Sequence, residues 1–389
     1  MTPDIVRLDG VRLALFTDTY PPQLNGVSRT LERLVIAARE RGAAVRVLTT
    51  TDPTLAHTDA VADVVRWPSV PFWAYPQVRL AAPRIFAARA DLAAWRPSLV
   101  HVATEFGVGF AGRAAARALH VPLVTSYHTN FSAYAEFYRL GALASGGWKY
   151  FRWFHGAAAR TFAPTEAIRG EVEAHGFRNV RVWGRGVDGT RFDPSFRSLE
   201  WRRNLGIADD AMVVLYVGRI AKEKGLEHAL QAMQQLEHDA PAVRFVFVGD
   251  GPYDDELRAA APSNAIFTGR LSGTPLSIAY ASADLFLFPS VTDTFGNVLL
   301  EAMASGLVVV AADAGNTQEL VGAERGVIVK AEEPGAIASA LQALEGDRIR
   351  HDAIRSAAQR WAHERTWVNV WNGLFAEYRE VISAPAASS

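Results

Sequence analysis

Short apolar runs alternate with amphipathic stretches along most of this chain. Val11 to Phe16, Ala44 to Leu48, Leu99 to Val102 and Leu123 to Ser126 each read as a buried strand bounded by turn signals. Between them lie helical patterns, one after Gly26 with Leu31, Leu34, Val35 and Ala38 on one face, another from Val108 to Leu119. Ala158 to Ala163 and Asn179 to Trp183 close this first series. The pattern restarts with Met212 to Val217, Phe245 to Val248, Asp284 to Phe288 and Leu307 to Ala311. A last amphipathic helix, Trp367 to Ile382, carries Val368, Trp371, Leu374, Phe375 and Tyr378 on one face, and the residues from Ala384 on read as disordered. Such alternation predicts an α/β fold of parallel sheets covered on both faces. Functional groups in such folds lie beyond the carboxyl ends of the strands.

The strand ending at Phe288 stops at Pro289, and a loop carrying Asp293 follows. Gly296 then opens a helix whose Val298, Leu299, Ala302 and Met303 can face a sheet. Such a turn aims the N–H groups of Phe295, Gly296 and Asn297 outward, where a diphosphate could sit. Asp293 and Glu301, eight positions apart, can accept hydrogen bonds from sugar hydroxyls on either side of that diphosphate. Other strand ends offer Asp18 and Gly26 after the first strand, and Tyr127, His128 and Asn130 after the fourth. Arg219 and Lys224 follow Val217, where a guanidinium and an ammonium could hold two phosphates. Each feature has a plainer reading on its own: solvated carboxylates, an ordinary turn, a packed histidine, a basic surface loop.

Taken in order, these motifs resemble those of the retaining glycosyltransferases of family 4. The resemblance rests on the loop Thr17 to Val27, His128, the linker Gly184 to Phe192, the basic motif Gly218 to Gly225 and the acidic pair Asp293 and Glu301. It implies a GT-B fold, two Rossmann-like β/α/β domains facing across a cleft. Residues 1–185 would bind the acceptor, 186–365 would bind the donor, and a helix over 366–383 would cross back to the first domain. The resemblance also implies catalytic roles for His128, Arg219, Lys224 and Asp293. Donor contacts would come from Gly26, Val27, Gly186, Arg219, Lys224, Leu271, Asp293, Thr294, Phe295, Gly296, Asn297, Leu300 and Glu301. Asp18, Tyr127 and Asn130 are acceptor-side candidates. Asp293 stands where the family carries glutamate, Arg185 and Gly186 depart from the linker's usual start, and Val308 and Asn316 replace a usual proline and glycine. The version around Asp293 is similar to GDP-mannose-dependent α-mannosyltransferases and sulfoquinovosyl-type glycolipid synthases. That implies a nucleotide-diphosphate sugar such as GDP-mannose or UDP-glucose, and a lipid or sugar acceptor.

Composition narrows the alternatives. The 389 residues fit two domains, no apolar run is long enough to span a bilayer, and no secretory signal opens the chain, so a cytoplasmic protein is expected. Zero cysteines exclude thiolate nucleophiles and Cys-ligated zinc. With no Asp-x-Asp motif either, no metal cofactor is expected. Residues 1–185 hold 22 Lys and Arg against 14 Asp and Glu, without the basic stripe of a nucleic-acid binder. Gly184 to Gly189 spells G-x-G-x-x-G, but no apolar helix follows, so a dinucleotide site is rejected. Cationic and aromatic residues interleave over 66–96 (Arg66, Trp67, Phe72, Trp73, Tyr75, Arg79, Arg84, Arg89) and 137–160 (Phe137, Tyr138, Lys149, Phe151, Arg152, Trp153, Phe154). They fit peripheral contact with an anionic membrane as well as they fit a core with solvated arginines. Two other functions stay open: a nucleotide-sugar epimerase or hydrolase using Asp18 and Glu105, and a non-catalytic sugar-nucleotide or lipid-surface binding protein.

Overall fold

The computed structural model describes residues 5–23, 25–52, 63–72, 75–128, 141–293, 295–333 and 335–384, leaving aside the side chains of 72, 75–78, 141–144, 315 and 316. These form two compact units. One takes in the described residues up to Gly184 together with those from Val368 onward; the other runs from Arg185 to Trp367.

The first unit is built on strands β1 (Arg12–Phe16), β2 (Ala44–Thr50), β3 (Asp63–Trp67), β6 (Leu99–Val102), β7 (Leu123–Ser126), β8 (Arg160–Ala163) and β9 (Val180–Val182). β4 (Ser69–Phe72) and β5 (Tyr75–Ala81) form a separate antiparallel pair. The seven strands are parallel in the order β3-β2-β1-β6-β7-β8-β9. Ala14, Phe16, Val100 and Val102 pack against Val108, Ala111 and Ala115 of the helix Gly107–Ala118. A Cβ on Gly112 would land 2.4 Å from Phe16 Cγ, so only glycine lets this helix lie so close to β1.

The terminal helix, Trp367–Ser383, belongs to this unit over nearly all its length. Tyr378 and His101 share a 2.6 Å hydrogen bond at Nδ1, and Nε2 of the same ring meets Ser126 Oγ at 2.5 Å. Burial pushes His101 down to about 3, so the ring is neutral, donating from one nitrogen and accepting at the other. Arg41 reaches Asn372 Oδ1 at 2.7 Å, and Arg160 reaches Glu377 at 2.9 Å. Val368, expected on the buried face, is 40% exposed: it lies in the first turn, before the packed face begins with Trp371 against Trp183.

The second unit holds β10 (Val213–Val217), β11 (Arg244–Val248), β12 (Ala265–Gly269), β13 (Leu285–Phe288), β14 (Val308–Ala312) and β15 (Gly326–Val329), parallel in the order β12-β11-β10-β13-β14-β15. The period of two is visible in its core. Val213, Leu215 and Val246 join one buried cluster, and Val214, Tyr216, Phe245 and Phe247 join the other. In both sheets the strand order reverses beside an early strand, between β1 and β6 and between β10 and β13. Crevices at such reversals are where open α/β sheets bind ligands.

Candidate active site

In the second unit the loops after β10 and β13 meet beyond the switch point. Gly225 adopts φ +66°, and a Cβ there would come within 2.4 Å of the Pro289 carbonyl, so the basic loop rests directly on the chain leaving β13. Thr292 Oγ1 donates to the Glu223 carbonyl at 3.0 Å and ties the two loops a second time. Across this junction Lys224 Nζ donates to Asp293 Oδ1 at 2.8 Å and Oδ2 at 2.9 Å. Burial would raise the Asp293 carboxyl, but the Lys224 ammonium, with smaller help from Ser290 and Arg219, holds it below the usual carboxylate range. Arg219 forms an ion pair with Glu223, and its carbonyl accepts from Tyr216 Oη at 2.8 Å. Lys222 instead pairs with Glu256 on the surface, which leaves Lys224 as the inward lysine.

Gly296 caps the helix Asn297–Ala304 in the left-handed region, φ +76°, with its carbonyl accepting from Leu299 N at 2.9 Å. Phe295 is buried in the core, and the Arg185 guanidinium lies 5.8 Å from its ring centroid. Burial pushes Arg185 down to about 9. Gly186 has no room for a Cβ, which would meet Trp367 N at 2.6 Å, so this glycine serves chain packing. Glu301 accepts from Tyr280 Oη at 2.9 Å, a partner the sequence patterns did not signal. Leu300, expected among the donor contacts, is packed in the core with Leu299, Ala302 and Met303, so its side chain cannot face a ligand. Leu271 is partly buried against the same core, and Thr294 lies outside the described residues. At the ends of β10 and β13 the second unit thus brings Arg219, Lys224 and Asp293 together, with Gly296 and Asn297 opening the next helix and Glu301 farther along it.

In the first unit Asn25 caps the helix Gly26–Glu40 by accepting from Ser28 N at 2.8 Å. Gly26 is exposed, and a Cβ there would meet nothing within 4 Å, so open space stands before it. Val27 is half-buried beside it. His128 is nearly buried at the end of β7, its ring edge-on to Trp183 at 5.5 Å. Two acceptor-side candidates are corrected. Tyr127 is fully buried, ringed by Trp148, Phe151, His155 and Phe177, because the strand's alternation turns it into the core. Asp18 is buried as well: Thr104 Oγ1 donates to Oδ2 at 2.6 Å and Val108 N to Oδ1 at 2.9 Å, so the carboxylate caps the helix Gly107–Ala118. Burial pushes Asp18 up to about 6, against the hydrogen bonds from Thr104, Val108 and Gly109, and Glu105 adds to the rise. Glu105 is equally buried and lies 3.4 Å from His155 Nε2. Neither carboxylate is placed to serve an epimerase or hydrolase. Asn130 lies outside the described residues.

The basic and aromatic stretches divide. Trp67, Arg79, Phe151 and Phe154 are buried, Arg79 donating to the Thr51 and Ser69 carbonyls. Phe72, Trp73, Tyr75, Phe137 and Tyr138 carry no described side chains. What remains outward includes Phe86, 89% exposed, Phe106 and Trp153, with Arg84, Arg89, Lys149 and Arg152 also exposed.

The family model described as Glycosyltransferase Family 4 matches residues 24–191, and the one described as Glycosyl transferases group 1 matches residues 198–361. A GDP-mannose-dependent alpha-mannosyltransferase of Mycobacterium tuberculosis is 35% identical over 382 residues, covering 96% of this chain and 97% of its own length. The chain belongs to glycosyltransferase family 4. Sulfoquinovosyl transferase SQD2 of Arabidopsis thaliana is 34% identical, covering 92% of this chain and 71% of its own. Alpha-monoglucosyldiacylglycerol synthase of Streptococcus pneumoniae is 32% identical over 77% of this chain and 71% of its own. Among solved structures, the sucrose-phosphate synthase of Thermosynechococcus elongatus superposes with a TM-score of 0.79 at 19% identity, covering 96% of this chain and all of that one. The fold is GT-B, and the protein is a glycosyltransferase of that type.

Proposed function

We propose that this family 4 member is a retaining hexosyltransferase. It moves a hexose, mannose from GDP-mannose being the first candidate, onto a hydroxyl of a glycolipid or lipid precursor. The observation that carries the reading is the pairing of Lys224 and Arg219 with Asp293 and Glu223, beside the Gly296 helix start. Two cations and the N–H groups of a helix start suit a diphosphate, and each cation already has a carboxylate to hold it in place. When a donor enters, its phosphates replace those carboxylates as partners, and Asp293 becomes free to accept from a hexose hydroxyl. As the glycosidic bond breaks, negative charge grows on the leaving phosphate, and Lys224, Arg219 and the helix start stabilise it without a metal ion. The leaving phosphate then takes the proton of the acceptor hydroxyl attacking on the same face, so the α configuration is kept. Glu301 holds the ribose.

The mannose and lipid parts draw support from the mannosyltransferase and glycolipid-synthase relatives and from the outward aromatics of the first unit. Phe106 and Trp153 present apolar surface, the Trp153 ring lying 5.9 Å from that of the half-buried Phe110, and Lys149 and Arg152 are exposed on the same helix as Trp153. Such a face suits peripheral contact with an anionic bilayer at the inner side of the cytoplasmic membrane. Among the described residues no helix is long and apolar enough to cross one. The test is to incubate the protein with GDP-mannose or UDP-glucose and vesicles containing diacylglycerol or glucosyl-diacylglycerol, and to read the product's anomeric configuration by NMR. An α-linked glycolipid is expected; a β-linked product, or hydrolysis alone, would overturn the reading.

A further inference from the structure

We propose that Tyr280 is a positioning residue for Glu301 and sets how strongly the donor's ribose is read; this rests on the assignment of Glu301 to the ribose. The two residues sit on different helices, Tyr280 on Gly273–Ser282 and Glu301 on Asn297–Ala304. Tyr280 is fully buried, and its hydroxyl donates to Glu301 Oε2 at 2.9 Å. Its ring is held from two sides, edge-on to Phe192 at 5.4 Å and tilted against Phe286 of β13 at 5.8 Å. A glutamate on a helix surface has several freely turning bonds, and a ligand that uses it must first order it. Here a phenol anchored in the core does that ordering in advance. With the phenol on Oε2 the carboxylate plane is fixed, which gives its remaining acceptor sites a direction toward a ribose hydroxyl. Phe192 closes the segment from Gly186 that opens this unit, so the same ring ties the start of the unit to its ribose-reading carboxylate.

The experiment compares dissociation constants of GDP, UDP and their 2′-deoxy and 3′-deoxy forms for the native chain, Tyr280→Phe and Glu301→Ala, by calorimetry. Tyr280→Phe keeps the ring and removes only the hydroxyl, so a matching thermal melt will show the fold retained. Losing a hydrogen bond to a charged group should weaken the preferred ribonucleotide roughly tenfold. The deoxy form that lacks the Glu301 contact should change little, so the ribo-to-deoxy ratio shrinks by the same factor. A merely structural tyrosine would weaken both forms equally and keep the ratio, which would overturn the proposal. If the native chain does not distinguish ribose from either deoxyribose, the assignment of Glu301 fails first, and the role of Tyr280 falls with it.

Discussion

Lys224 grips both oxygens of Asp293, at 2.8 and 2.9 Å, across the junction of two loops that leave neighbouring strands. Because β10 and β13 flank the point where the sheet order reverses, this ion pair stands where a ligand of the second unit would lie. In the proposed reading this lysine meets the diphosphate, and its carboxylate partner a sugar hydroxyl.

Replacing that lysine therefore removes charge stabilisation in the transition state and leaves Asp293 without its nearest cation. Lys224→Ala should lower kcat/KM for the donor by roughly a hundredfold to a thousandfold, measured as initial rates at saturating acceptor. A loss below tenfold would mean that the ammonium does not face the leaving group.

Two glycines should separate crowded backbone from open backbone. Gly225→Ala places a Cβ against the Pro289 carbonyl at positive φ and should destabilise the protein by about 1–3 kcal/mol in urea unfolding. Gly26 has a negative φ and open space before it, so Gly26→Ala should stay within about 0.5 kcal/mol of the native stability. A loss of more than about 1 kcal/mol in Gly26→Ala would show that the space before this glycine is filled in the folded protein.

Asp18 gives a pH dependence with a definite sign. Its folded pKa is about 6, against about 3.9 in an unfolded chain. As pH falls the folded state takes up this proton first, so the group's stabilising contribution is full below about pH 4 and lost as pH rises through 6. A shift of roughly two units corresponds to about 3 kcal/mol. The stability of the native chain minus that of Asp18→Asn, from urea midpoints, should fall by about that amount between pH 4 and 7. A difference independent of pH would show that the carboxyl titrates normally in the folded protein.

The neutral His101 between Tyr378 and Ser126 ties the terminal helix to β6 and β7. Tyr378→Phe leaves a buried ring nitrogen without its partner and should cost about 1–3 kcal/mol of stability. A change below the error of the unfolding curves would show that the helix is held by its apolar face alone.

The apolar runs were the most legible part of the chain. Val213 to Tyr216 and Leu285 to Phe288 are short, unbroken and buried, and such strands announce themselves without neighbours. β3 and the β4/β5 pair were not read, since Asp63, Arg66, Ser69 and Pro71 break any apolar pattern and the strands are only partly covered. The loop positions of Lys224 and Asp293 were legible from their place after a strand, and the structure pairs the two. Side-chain orientation is what the sequence does not carry. Asp18 stands at a strand end like Asp293, yet Thr104 and the helix start at Val108 hold it inward, and those partners are 86 and 90 residues away in sequence. Tyr127 and Leu300 likewise sit in functional-looking motifs but turn into the core. Tyr280 escaped notice because its motif, an aromatic in an apolar helix, reads as packing until its hydroxyl is seen on Glu301.

The most direct test of the donor site is calorimetric titration of the native chain and Lys224→Ala with GDP and with UDP, in buffer containing EDTA. The expected result is that one nucleotide binds the native chain without metal, and that Lys224→Ala binds it at least tenfold more weakly, a loss of about 1.4 kcal/mol. Binding that appears only when a divalent cation is restored, or equal binding by Lys224→Ala, would contradict the assignment of Lys224 to the diphosphate.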